Sequence, residues 1–377
     1  MVVAVTWELS VGRAYLAWRV AHERRRVQVL QRRGGPLRWR RDALVVAAVQ
    51  WDMRPIASVA DWTARLVLQC DQATRAGAAL VVFPEYIGLS LMGLLSEHRA
   101  LRNASARQLT SAEVGDRLRA WAPTVVPLYR TVFSRLAAAY GITVVAGSTL
   151  VEHGGRMENL AHVFGPDGRL LATQPKLHLL ATEASWGVVP GASLAPISGP
   201  IPVQPVVCYD ASFFETYRMA RMHGAELVAV PIADPDPDYG EAKARRGSWA
   251  RTQESGLVSV VGAGTGELYG ILFTGKAAVY APMAETPAGN GVLAESPHPD
   301  GEGVVVATVN LDRLQEYRQD LPAPRVDRVS TWLAPRYEAL VPWVGARTAG
   351  ESDALRPAGA AGPSLGDLPD PYESHER

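Results

Sequence analysis

The run LVVAAVQ (44–50), followed by SVADWTARLVLQCDQATRAGA (58–78) and ALVVFPEY (79–86), decides the fold class. The first and last of these are short, continuous apolar runs, the pattern of strands buried on both faces. Between them Val59, Trp62, Leu66 and Cys70 recur at helical spacing behind Ser58, a favoured N-cap residue. Strand, helix and strand in this order make a β-α-β unit, which implies parallel strands with a helix packed over them.

The pattern repeats. TVVPLYRTVFSRLAAAYG (124–141) leads into ITVVAGSTL (142–150), and FFETYRMARMHGA (213–225) leads into ELVAVPIA (226–233). NLAHVFGPDGRLLATQP (159–175) holds two alternating runs joined by Gly-Pro-Asp-Gly and is predicted to be a hairpin. GLVSVVGAG (256–264), GKAAVYAP (275–282) and GVVVATVNL (303–311) are further strands separated by turn residues. The expected fold is α/β, a mixed sheet covered by helices. The regular alternation stops near residue 320, so the expected division is a basic, mobile extension (1–43), the domain (44–321), a Trp- and Pro-containing packing or oligomerisation segment (322–345) and a disordered tail (346–377).

Composition excludes several classes. Of the 377 residues, 47% are hydrophobic and 20% charged, which fits a globular protein and not a disordered chain. Residues 1–44 carry ten Arg against Glu8, Glu23 and Asp42, about +7, so the net charge of zero leaves about −7 elsewhere. That stretch lacks the order of a signal peptide, and no run approaches a membrane span of roughly 18 apolar residues. No interleaved basic and aromatic pattern supports nucleic-acid binding. Two cysteines, Cys70 and Cys208, are too few for a disulfide framework, and a cytoplasmic setting follows. No His-Glu-x-x-His, Gly-x-Ser-x-Gly or Walker pattern is present, and the scattered His argue against a metal centre. GAGTGELYG (262–270) is read as a strand-end turn, because no helix follows it to cradle a phosphate.

Three strand ends carry residues capable of chemistry. Glu85 closes ALVVFP, where an unpartnered carboxylate is costly. Lys176 closes RLLATQP and is one of only three Lys, with Lys243 and Lys276, against 35 Arg. Cys208 follows IPVQPVV, and Ser212-Phe213-Phe214-Glu215 after it fits a capping box, which would put the thiol near a helix N-terminus that favours the thiolate. Strand ends on one side of a sheet are where α/β sites form. Acid, ammonium and thiol together suffice for acyl transfer. A buried Glu85–Lys176 ion pair beside an inert cysteine fits the spacing equally well.

FPEY around Glu85, QPKLHL around Lys176 and CYDASFFE around Cys208 resemble, in order and separation, the nitrilase or carbon–nitrogen hydrolase superfamily. KLHLLATE, ending at Glu183, and ARTQESGLVSVVGAG (250–264) extend the resemblance, which covers Leu44 to about Leu321. PEYIGLSLMGLL (84–95) is most similar to a branch sometimes fused to an N-acetyltransferase domain, for which the 43-residue arm is too short.

The resemblance implies an αββα sandwich, no metal or organic cofactor, and a Glu-Lys-Cys triad: Glu85 as general base and acid, Lys176 as oxyanion stabiliser, Cys208 as nucleophile. Glu183 would position substrate or water, and the Tyr209 backbone N–H would complete the oxyanion hole. The implied activity is hydrolysis of a small amide or carbamoyl compound by a homo-oligomer. Acyl transfer to an amine and a non-catalytic scaffold are the alternatives. Ser212-Phe213-Phe214-Glu215 and PIADPDPDY (231–239) depart from the family pattern beside the expected pocket and leave the substrate open.

Overall fold

The structure, a computed structural model, describes residues 38–94, 111–195, 197–268 and 270–321. The segment 330–344, expected to supply an interface, and the acidic tail lie outside the described residues, as does most of the basic arm.

In chain order the elements are β1 Leu44–Asp52, α1 Val59–Arg75, β2 Leu80–Val82, α2 Ser111–Tyr140, β3 Thr143–His153, β4 Arg156–Phe164, β5 Leu170–Pro175, α3 Ala181–Ser185, β6 Val203–Pro205, α4 Phe214–Met222 and β7 Leu227–Ile232. Then follow α5 Glu241–Ala244, α6 Ala250–Ser255, β8 Val258–Leu268, β9 Ile271–Phe273, β10 Ala278–Tyr280, β11 Val292–Glu295, β12 Gly303–Val309 and α7 Leu311–Gln319.

The pairings make two sheets. One runs β12-β1-β2-β3-β4-β5 and the other β6-β7-β8-β10-β11, joined where the end of β1 pairs with β8 at Gln50–Ala263. Side chains alternate across each strand, and both faces are buried. Val46 and Ala48 enter the core between the sheets with Leu227, Ala229, Val258 and Val260. Ala47, Val49 and Trp51 point the other way, under Trp62 and Leu66 of α1 and Phe133 of α2. On the far side Val228, Val230 and Val261 pack with Tyr217 and Ala220 of α4. Helix, sheet, sheet and helix are the four layers, the αββα sandwich that the motifs implied.

The β-α-β unit and the 159–175 hairpin form where the sequence places them. Ser58 Oγ accepts from Asp61 N at 3.1 Å, capping α1. Three expectations need correction. GAGTGELYG is not a strand-end turn, since β8 runs on to Leu268 and pairs with β9 through Gly266–Leu268. Helix α2 begins thirteen residues before Thr124 and continues through Pro123 and Pro127; the apolar face of Leu118, Trp121, Val125, Tyr129 and Phe133 packed on the sheet outweighs the lost backbone bonds. The capping box at Ser212 is absent. A 3-10 helix, Cys208–Ser212, intervenes, and α4 starts behind Phe213, whose side chain caps nothing.

Candidate active site

Parallel pairing brings the three strand ends together. β1, β2 and β3 run parallel, and β5 regains that direction through two antiparallel steps across β4, so Glu85 and Lys176 leave the first sheet at the same end. β6 lies parallel to β7 and β8, and β8 parallel to β1, which brings Cys208 to that end from the second sheet. Two local devices refine the placement. The Lys176 N–H donates to Asn159 O at 2.9 Å, extending the β4–β5 ladder one residue beyond Pro175. Gly147, at φ 68° in the β3 bulge, lets Pro84 come so close that a Cβ would lie 1.9 Å from its carbonyl oxygen. Only glycine fits there, and the chain at Glu85 is seated by that contact.

Lys176 is the hub. Its Nζ donates to Glu85 Oε1 at 2.9 Å and to Glu183 Oε2 at 2.8 Å, and all three side chains are buried. An ammonium has three donors, so one is left for a ligand. Asn159 Nδ2 donates to Glu85 Oε1 at 2.8 Å and to Glu183 Oε1 at 3.2 Å. Both bonds to Glu85 land on Oε1, which leaves Oε2 for the thiol proton of Cys208, within hydrogen-bonding reach of this carboxylate. The Ala233 N–H also faces the sulfur.

Cys208 sits at φ 48°, a left-handed conformation that costs a non-glycine residue of order 1 kcal/mol and that clusters at active sites. Two carboxyl groups and one ammonium are buried beside the thiol. Burial pushes the Cys208 thiol well up, Glu85 adds to that, and Lys176 only partly opposes it. The expectation of a helix-favoured thiolate is therefore reversed, because the short 3-10 turn cannot outweigh burial and Glu85. Burial likewise raises the Glu85 carboxyl; Lys176 opposes this and Glu183 reinforces it. Burial works against the Lys176 charge, but Glu85, Cys208 and Glu183 prevail and hold its pKa above the ordinary lysine value.

Several site residues escaped the sequence reading. Asp210 is buried and accepts from Leu177 N at 3.1 Å and His178 N at 2.7 Å, with His178 Nδ1 at 2.9 Å. It thereby ties the turn carrying Cys208 to the turn carrying Lys176. His178 in turn stacks on Phe213 at 3.8 Å between centroids. Tyr209 is exposed, and its amide lies in the first turn of the 3-10 helix, where amides have no partner within the helix. Beyond Ala233, Asp234 and Asp236 grip Lys243 at 2.7 and 2.9 Å. Lys276 lies 3.6 Å from Glu295. All three scarce lysines thus face carboxylates, although only Lys176 is deeply buried. Among the described residues, no group of three His, Cys, Asp or Glu is arranged to hold a metal ion.

A model of the carbon–nitrogen hydrolase family matches residues 45–319. The chain is 28% identical over 284 residues to the probable hydrolase YhcX of Bacillus subtilis, an alignment covering 73% of this chain and 51% of that protein. It therefore spans about half the length of that relative. It is 30% identical over 209 residues to omega-amidase NIT2 of Danio rerio, covering 52% of this chain and 72% of the relative. Among solved structures, a cysteine-to-alanine mutant of the amidase from Nesterenkonia sp. AN1, in complex with butyramide, superposes with a TM-score of 0.55 at 25% identity, covering 74% of this chain and 97% of that one. The family match takes in every strand end described above, and the chain belongs to the carbon–nitrogen hydrolase family.

Proposed function

We propose that the protein hydrolyses a C–N bond of a small amide or carbamoyl compound through a thioester on Cys208, with no metal or organic cofactor. The observation that carries this reading is the buried Glu85–Lys176–Glu183 hub beside the thiol, with one lysine donor and one Glu85 oxygen uncommitted. Glu85 takes the thiol proton as Sγ attacks the carbonyl carbon. The oxygen that becomes negative meets the spare Lys176 donor and the Tyr209 N–H. Collapse breaks the C–N bond, Glu85 returns its proton to the nitrogen, and ammonia or an amine leaves. Water then adds to the thioester with Glu85 again as base, and the acid departs as the thiol is restored. The raised thiol pKa suits this sequence, since the proton stays on sulfur until a carbonyl is in place.

The surroundings supply the rest of the proposal. Asp234 and Asp236, paired with Lys243, follow Ala233, whose N–H faces the sulfur, and charged groups so near in the chain would favour a substrate with a polar far end. A free-thiol nucleophile suits a reducing cytoplasm, and among the described residues no helix is long and apolar enough to cross a membrane. Phe214, Met219 and Met222 leave apolar surface exposed on α4, so a second copy of the chain is the proposed cover. Ammonia release across a panel of ω-amides, carbamoyl amino acids and nitriles tests the activity. Turnover confined to amides or carbamoyl compounds is expected; activity on nitriles alone, or on none of the panel, contradicts it.

A further inference from the structure

A cavity of about 400 Å³, within the range of small-molecule sites, lies between α2 and the face of β3, β4 and β5 that α2 covers. Glu158, Leu160 and His162 alternate onto this face of β4, whereas Asn159, which serves Glu85, projects from the other. The strand itself therefore separates the cavity from the catalytic hub. One end holds a guanidinium. Arg130 Nε donates to Nε2 of the fully buried His162 at 3.1 Å, and the His162 Nδ1–H donates to Leu160 O at 3.1 Å. Burial, reinforced by Arg130, pushes this imidazole down to about 3, so it stays neutral and Nε2 remains an acceptor. A neutral partner orients the guanidinium and leaves its charge uncompensated. Among the described residues nothing occupies the other four N–H groups of Arg130. Thr173, the register partner of His162 on β5, adds a hydroxyl at the same end.

The other end is acidic. Glu158 meets no cation and no hydrogen-bond donor among the described residues, and Glu152 spends Oε1 on the Gly155 N–H at 2.8 Å. Between the ends, Val126 of α2 and Leu160 of β4 belong to one apolar cluster. Four residues of strand, about 13 Å, separate Glu158 from the His162 that anchors Arg130, too far for the two charges to pair. We propose that this cavity is a second binding site, for an unbranched ω-amino carboxylate whose carboxylate meets Arg130 and Thr173 and whose ammonium meets Glu158. A contact of about 3 Å at each end leaves a span of about 7 Å, which 6-aminohexanoate fills and an α-amino acid does not. The site goes beyond the C–N hydrolysis proposed above and does not depend on it.

The test is isothermal titration calorimetry of the full chain with 6-aminohexanoate, hexanoate and hexylamine, repeated on Arg130→Gln and Glu158→Gln. The expected result is one site for 6-aminohexanoate, with each singly charged analogue weaker by about tenfold or more. Glu158→Gln weakens 6-aminohexanoate about tenfold and leaves hexanoate no weaker, since the charge it removes meets only the ammonium. Arg130→Gln weakens both carboxylates by about tenfold or more. Three results each overturn the proposal: no saturable heat with wild type, hexanoate binding as tightly as 6-aminohexanoate, or 6-aminohexanoate binding unchanged in Glu158→Gln. Should Arg130→Gln fail to fold because His162 loses its donor, Glu158→Gln decides alone, since Glu158 is half-buried near the start of β4 and holds no bond of the fold among the described residues. No arm needs turnover. Binding in the active site would survive both substitutions and so would count against the cavity, whether or not the amide reading is right.

Discussion

The chain has two cysteines, and the contrast between them carries most of what the structure teaches. Cys70 lies on α1, fully buried among Trp62, Leu66 and the underside of the first sheet, and burial pushes its thiol up to about 12. Cys208 is only half-buried, and burial raises its thiol too. A raised pKa therefore does not separate an inert thiol from a reactive one. What separates them is the partner: Cys208 has a base within reach and a lysine beside that base, whereas Cys70 lies in the apolar cluster under the first sheet, with Asp71 adding repulsion. The lesson is one of proton transfer. In the proposed mechanism the neutral Cys208 thiol becomes a nucleophile as Glu85 takes its proton at the moment of attack.

The contrast can be broken at several points. The largest effect is expected from Cys208→Ala, which should remove turnover altogether while leaving the melting temperature within a few degrees of wild type. Activity within about threefold of wild type would make the two cysteines equivalent. Next comes Lys176→Arg, which keeps the charge but cannot place one compact donor where the ammonium sits between Glu85 and Glu183. A loss of about a hundredfold or more in kcat is expected, since one oxyanion donor is worth about 3 kcal/mol. Full activity with Arg would reduce Lys176 to a charge partner. Asp210→Asn should cost about tenfold in kcat and ~2 kcal/mol of stability, because the carboxylate charge is withdrawn from the three N–H groups that converge on Oδ1 and an amide NH2 is set against the Leu177 N–H at Oδ2. Urea unfolding and steady-state kinetics measure the two together. The smallest effect belongs to Cys70→Ala, with a stability loss of about 1 kcal/mol from the cavity and turnover within about twofold.

The parts of this site that the sequence reveals are those at the ends of apolar runs. Glu85 and Lys176 stand out because a charge closing a buried strand demands a partner; the β-α-β pattern assigns Glu85 to one end of a sheet, and Lys176 reaches that end through the 159–175 hairpin. Asn159 gives no such sign. It occupies a polar position in an alternating run, where a residue facing solvent and one facing a buried carboxylate look alike. Asp210 is hidden for a related reason: it lies two residues after Cys208, which sits at positive φ, and no local propensity announces the turn that aims it. The misread cap at Ser212 has the same origin, since the 3-10 turn is imposed by the tertiary fit of Cys208 and not by the Ser-x-x-Glu spacing. The polar residues two positions from Cys208 and Lys176, Asp210 and His178, were the available signal that the two turns are tied together.

The most direct test of the central claim is a titration of the native protein with iodoacetamide at neutral pH, following residual amidase activity and the site of each adduct by peptide mass spectrometry. The account predicts that activity falls in proportion to carboxamidomethylation of Cys208, reaching zero at one adduct per chain while Cys70 stays unmodified. Undiminished turnover by protein fully modified at Cys208, or inactivation that tracks Cys70 instead, would contradict it.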